Sequence, residues 1–174
     1  MNQLYKIERE AYPHIKNWLE EQLKTRFTDF HLEITADRKF SNTLKQQIDR
    51  NRDLIFNFLK EAAPDITGFV KGDYSREFIV VEIKNKPIKL DDIYQTRKYA
   101  ELFDARYALL VSTQEIPEEI IRLSKVVFPY LLSLPAYKRL TLVYFGDDGK
   151  KIVWFSENPF IKKNLLKIKD GEKT

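Results

Sequence analysis

Apolar residues recur at Leu4, Ile7, Ala11, Ile15, Trp18, Leu19 and Leu23, the spacing of a helix with one buried face from about Leu4 to Lys24. Pro13 either bends that helix or marks a later start. Phe30, Leu32 and Ile34 alternate with polar residues and predict a short strand. Leu44, Ile48, Ile55, Phe58 and Leu59 predict a second amphipathic helix between Asn42 and Ala62, capped by Ser41 or Asn42 and closed by Pro64. Ile66 to Val70 reads as a strand and Lys71-Gly72-Asp73 as a turn. Phe78-Ile79-Val80-Val81-Glu82-Ile83-Lys84 is the strongest strand, because β-branched and aromatic residues dominate it.

Asp91 or Asp92 is placed to cap a helix running to about Phe103. Tyr107 to Val111 is a near-continuous apolar run, as expected of a strand buried on both faces. Pro117, followed by Glu118 and Glu119, has the form of a helix first turn. Leu140 to Phe145 and Ile152 to Phe155, joined by Gly146-Asp147-Asp148-Gly149, predict a hairpin. Helices and strands therefore alternate around a mixed sheet, an α/β class. A single domain is expected over 1–158, followed by a basic tail over 159–174.

Composition narrows the chemistry. The chain has 174 residues, 43% hydrophobic and 32% charged, which suits one folded core. No apolar run is long enough to cross a bilayer, and MNQLYKIERE carries acids where a signal peptide has its apolar stretch. A cytoplasmic location without membrane association is the expectation. The absence of cysteine excludes disulfides, thiolate metal sites and cysteine nucleophiles. With only His14 and His31, a multi-histidine zinc site is disfavoured. Any metal site would rest on carboxylates and carbonyls, which suit Mg²⁺ or Mn²⁺. The formal charge of +4 permits nucleic-acid binding without demonstrating it.

The informative feature is charge inside an apolar strand. Side chains alternate, so Glu82 and Lys84 share a face with Phe78 and Val80, while Val81 and Ile83 point the other way. Unpaired charges on such a face cost several kcal/mol each, so a partner, a metal or an open cleft must offset them. Asp65 follows Pro64 at the start of the preceding strand, and pairing of the two strands would bring it to Glu82. Two close carboxylates repel, and a divalent cation between them reverses that penalty.

Pro64-Asp65, a spacer and Glu82-Ile83-Lys84 resemble the signature of the PD-(D/E)xK nucleases. Gln95-Thr96-Arg97-Lys98-Tyr99 is similar to the QxxxY motif of their RecB-type and lambda-exonuclease-type members. The resemblance covers roughly Ile7 to Val111 and implies a restriction-endonuclease-like core and Mg²⁺-dependent DNA hydrolysis. It would make Asp65, Glu82 and the Ile83 carbonyl metal ligands and Lys84 catalytic. It would set Gln95 and Tyr99 beside the site, where they help place DNA. A further acid often comes from the first helix: Glu8 is the first choice, on the face of Leu4, Ala11 and Ile15, and Glu10 the second. The helix predicted before Pro64 departs from the family, where many members have a shorter connection. Members that cut both strands are commonly symmetric homodimers, although no interface is evident in this sequence.

Blander readings compete. Glu82 and Lys84 would be a solvated pair if their strand were an edge, Pro64-Asp65 is a common helix end, and Gln95 and Tyr99 fit an ordinary helix surface. Trp18 and Trp154 are expected as core anchors rather than stacking platforms. Lys86, Lys89, Arg97 and Lys98 cluster near the proposed site, and Lys162, Lys163, Lys167 and Lys169 form a second basic group in the tail. Two other classes remain open: a non-catalytic nucleic-acid-binding module with the nuclease fold, and a protein-interaction domain whose strand charges pair internally.

Overall fold

The computed structural model describes residues 3–161. The lysines noted at positions 162, 163, 167 and 169 lie outside them. Among the described residues six strands form one mixed sheet in chain order: β1 (Phe30–Ile34), β2 (Ile66–Lys71), β3 (Arg76–Lys84), β4 (Tyr107–Ser112), β5 (Leu140–Gly146) and β6 (Lys151–Trp154). β1, β2 and β3 are antiparallel neighbours, β3, β4 and β5 are parallel, and β6 turns back antiparallel to β5. The strongly apolar β3 and β4 are thus central, where both faces are covered.

Strand alternation divides the core in two. Ile79, Val81 and Ile83 of β3, with Leu109 and Val111 of β4, pack against Ile15, Leu19 and Leu23 of α1 (Tyr12–Lys24). On the other face Val80, Ala108, Leu110 and Leu142 meet Ile93, Tyr99, Ala100 and Phe103 of α3 (Leu90–Phe103). Ile120 of α4 (Glu118–Arg122) joins that second cluster. Trp18 and Trp154 pack 5.5 Å apart beside the first cluster, as anchors. Packing on the α1 side continues to Phe160, whose ring lies 5.0 Å from that of Tyr107. Among the described residues no helix is long and apolar enough to cross a membrane.

Three expectations need correction. The first helix starts at Tyr12, not Leu4; Pro13 sits in its first turn, where its missing N–H costs nothing. A 3₁₀ turn, Glu8–Ala11, precedes it, and Leu4 and Ile7 are exposed. The long helix expected over 42–62 is two pieces, α2 (Asn42–Lys45) and a 3₁₀ segment, Arg50–Leu59. Asp49 breaks it: its backbone is extended and its carboxylate accepts from Asn51 N, a local bond that competes with the helix. Leu44, Ile48, Ile55 and Leu59 are still buried, whereas Phe58 is not. Finally, α3 is capped at Lys89, with Asp92 accepting the Lys89 N–H at 2.8 Å from the third helical position.

β1 lies against β2 over Gly68, where an added Cβ would fall 2.1 Å from the carbonyl oxygen of His31. Backbone cannot yield there as a flexible side chain would. Gly68→Ala is expected to lower unfolding free energy by about 3 kcal/mol or more, as overpacked buried substitutions do; urea denaturation checks this.

Candidate active site

Register brings the acids together. Ile66 pairs with Val81, so Asp65, one residue before β2, comes opposite Glu82. The Asp65 backbone is fixed from β1's side, since Thr35 N donates to Asp65 O at 2.8 Å and Thr35 Oγ1 to Pro64 O at 2.6 Å. Its carboxyl is fixed from the other side, with Oδ2 accepting from Ile83 N at 2.7 Å. Ile83 itself turns its side chain into the α1-side core. Both acids are nearly out of water, Asp65 at 6% and Glu82 at 3% exposure.

Lys84 lies two positions on, on the same face, and its Nζ donates to Glu82 Oε1 at 2.8 Å. Glu82 Oε2, also buried, has no hydrogen-bond partner among the described residues. Burial first, and then the charge of Asp65, pushes the Glu82 carboxyl up to about 8. Burial likewise pushes Asp65 up to about 6, against the opposing pull of the Ile83 N–H. Burial alone would lower the Lys84 ammonium, but the Glu82 carboxylate outweighs it and holds Lys84 above the usual lysine range.

Of the two candidate acids near the N-terminus, the structure turns Glu8 toward this cluster. Tyr12 Oη donates to Glu8 Oε1 at 3.2 Å and also hydrogen-bonds Asp65. The fields of Glu8 and Asp65 add to burial in raising the Tyr12 hydroxyl. Glu10 is used elsewhere, accepting the backbone N–H groups of Lys6 and Ile7. Sequence reasoning missed Tyr12 and Thr35. Tyr12 had a signal, the four-residue spacing from Glu8 that sets the two on one face. Thr35 had none, because its role depends on a contact 29 residues away.

Tyr99 is fully buried under α3, and Gln95 Nε2 donates to its hydroxyl at 3.0 Å. Burial raises that hydroxyl, and Glu82 and Asp65 lie close enough to raise it further. The structure thus brings Glu8, Asp65, Glu82, Lys84, Gln95 and Tyr99 to the C-terminal end of β3. The neighbouring basic residues are more dispersed. Arg97 is engaged by Leu131 O and Glu101, Lys98 lies over the Tyr99 ring, and Lys86 and Lys89 are exposed. His14 pairs with Asp148 and His31 with Glu33, both away from the cluster.

The donor set suits a hard divalent cation. Glu82 Oε2 is an orphaned buried acceptor beside a second carboxyl, and burying such an atom without a partner is costly. Among the described residues no three acidic or histidine side chains converge as a ready cage. Mg²⁺, however, is commonly held by one or two carboxylates with water completing its shell. No family model, no curated protein and no solved structure matches this chain.

The raised carboxyls fix a pH dependence. In both, the folded value lies above the ordinary one, so the folded chain keeps protons that the unfolded chain has released. That stabilisation is complete below the ordinary carboxyl range and is lost as pH rises through about 6 and then about 8. Metal-free protein is expected to lose several kcal/mol of stability across this window. Glu82→Gln should remove most of the slope. Thermal melts at stepped pH in EDTA test both statements; a wild-type Tm that stays level would refute them.

Proposed function

We propose that this protein is a metal-dependent deoxyribonuclease with a restriction-endonuclease-like core, hydrolysing phosphodiester bonds at the Asp65–Glu82–Lys84 cluster. The observation that carries the reading is the orphaned Glu82 Oε2, buried beside Asp65 with an ammonium on the other oxygen. Such a group is a poor investment in stability alone, since a well-packed apolar residue there does as well or better. The core assignment is supported by the placement of the motif residues. Asp65 leads into one strand, Glu82 and Lys84 end its antiparallel neighbour, and Gln95 and Tyr99 lie on the helix that follows.

In this reading Asp65, Glu82 and the Ile83 carbonyl would hold Mg²⁺ or Mn²⁺, with Glu8 reaching them through Tyr12. When bound, such an ion lowers the pKa of a bound water and stabilises charge on phosphoryl oxygens. Lys84 stays protonated and donates to the attacking water or to an oxygen of the five-coordinate phosphorus. The water oxygen forms its bond to phosphorus as its proton passes to solvent, the P–O3′ bond breaks, and the leaving oxygen takes a proton from solvent. Tyr12 holds Glu8 and Asp65 in one arrangement, and Tyr99, oriented by Gln95, closes the α3 side. DNA is the proposed partner.

One observation favours the rival, a binding module without catalysis: Lys84 already neutralises Glu82, which leaves the cluster closed on itself. Calorimetry separates them. Under the nuclease reading Mn²⁺ binds the wild type and not Glu82→Gln, whereas a module would bind DNA with no dependence on metal.

Purified protein with Mg²⁺ or Mn²⁺ should degrade some form of DNA, and Lys84→Ala should slow this by about 100-fold or more. Cleavage that survives the substitution would refute the role given to Lys84. Tyr12→Phe should leave the fold intact, because the ring still fills its place, yet weaken Mn²⁺ binding several-fold by releasing Glu8 from Asp65.

A further inference from the structure

At the other end of the sheet, where β4 and β5 begin and β6 ends, a groove of about 880 Å³ opens to solvent. Arg26 borders it from just past the end of α1, Arg106 from the residue before β4, and Lys138 and Arg139 from the approach to β5. The guanidinium-bearing residues Arg26, Arg106 and Arg139 are all exposed. Arg26 gives one donor to Pro159 O, which aims the fork while leaving most of its N–H groups unspent. Lys138 is held by Asp104. Among the described lining residues the only carboxylate is Glu157, which is itself engaged. Ser156 Oγ, in the same wall, is buried without a hydrogen-bond partner.

A second, independent feature lies on the rim. Ala136 and Tyr137 are consecutive non-glycine residues with φ of 58°, in the left-handed region. They are the central pair of a tight hairpin turn, with Lys138 N donating to Pro135 O at 3.4 Å beside the antiparallel Ser133–Arg139 bridge, and such turns place both central residues at positive φ. The result is a tyrosine ring standing wholly in solvent, 105% exposed, beside four cationic side chains. The turn carries the ring away from the core and leaves its flat face open.

We propose that this groove binds single-stranded nucleic acid, with the arginines on successive phosphates and an unpaired base stacked on Tyr137. Arginine forks match phosphate oxygens, and aromatic faces interleaved with a basic channel are what sequence-tolerant strand binding needs. An open strand fits better than a duplex, because stacking on one protruding ring requires an unpaired base. The groove is distinct from the acid cluster. Leu110, the register partner of Glu82, is three residues along β4 from Tyr107 in the groove wall, about 10 Å of strand.

The test is fluorescence anisotropy of a labelled oligothymidylate in EDTA, so that it is independent of the proposed metal chemistry. The double variant Arg106→Glu with Arg139→Glu is expected to weaken binding by about tenfold or more and to flatten its salt dependence. Tyr137→Gly is expected to weaken it several-fold while Tm holds or rises, because glycine accepts the left-handed turn without strain. Glu82→Gln is expected to bind like the wild type. Four results would each overturn the inference: unchanged binding by the double variant, a lower Tm in Tyr137→Gly, equal affinity for a duplex, or equal affinity for phosphatidylserine vesicles.

Discussion

The hydrogen bond from Ile83 N to Asp65 Oδ2 ties backbone geometry to charge placement. Asp65 stands one residue outside β2, where ladder pairing has ended, and its side chain takes up the N–H that the next β2 residue would have met. The same bond holds the carboxyl opposite Glu82 and away from water. Thr35 clamps the backbone behind it. Because β2 and β3 lie inside the sheet, neither acid can relax by moving its strand. Burial, mutual repulsion and a fixed register then act together, and the raised carboxyl values are their combined effect.

Such a cluster is tolerable because the rest of the sheet is so apolar. Both faces of β3 and β4 are covered, by α1 on one side and by α3 with its neighbours on the other. Lys84 offsets part of the cost by pairing with Glu82, and Tyr12 shares its hydroxyl between Glu8 and Asp65. Neither reaches Glu82 Oε2. A buried ion pair commonly adds little stability relative to apolar packing, and one left with an open acceptor adds less. The arrangement therefore reads as held in place by the fold rather than as holding the fold together.

The strands marked by alternation or by an unbroken apolar run were legible in the sequence. β3, β4 and the β5–β6 hairpin fall where alternation and apolar runs put them, and the face shared by Glu82 and Lys84 followed from period alone. The 42–62 segment misled because its apolar spacing satisfies a helix, whereas the Asp49-Arg50-Asn51 run favours local side-chain bonds that no periodicity records. The choice between Glu8 and Glu10 was open for a related reason. It turns on which acid is consumed by backbone N–H groups at a 3₁₀ turn, and a continuous helix from Leu4 would have concealed that use. The groove was invisible because its arginines come from separate segments, more than 100 residues apart at the extremes, and only sheet topology joins them.

A formal charge of +4 hides how unevenly the charge is distributed. Glu8, Asp65 and Glu82 gather at the end where β3 stops, while the exposed arginines gather where β4 and β5 start. A bare phosphate approaching the first end meets carboxylates with Lys84 already committed to one of them. At the second end it meets guanidiniums facing water. Coulomb attraction among exposed charges fades over roughly 8 to 10 Å at physiological salt, close to the spacing between the two sites along the strands. Each end therefore acts on a ligand as a separate field rather than as part of one average. Under the proposed nuclease reading a bound cation would favour approach of a polyanion to the acid end, whereas the basic end would need no such partner. Under the proposed functions that difference, set by which end of a parallel strand pair each side chain occupies, would leave strand capture independent of metal and make chemistry at Glu82 wait for it.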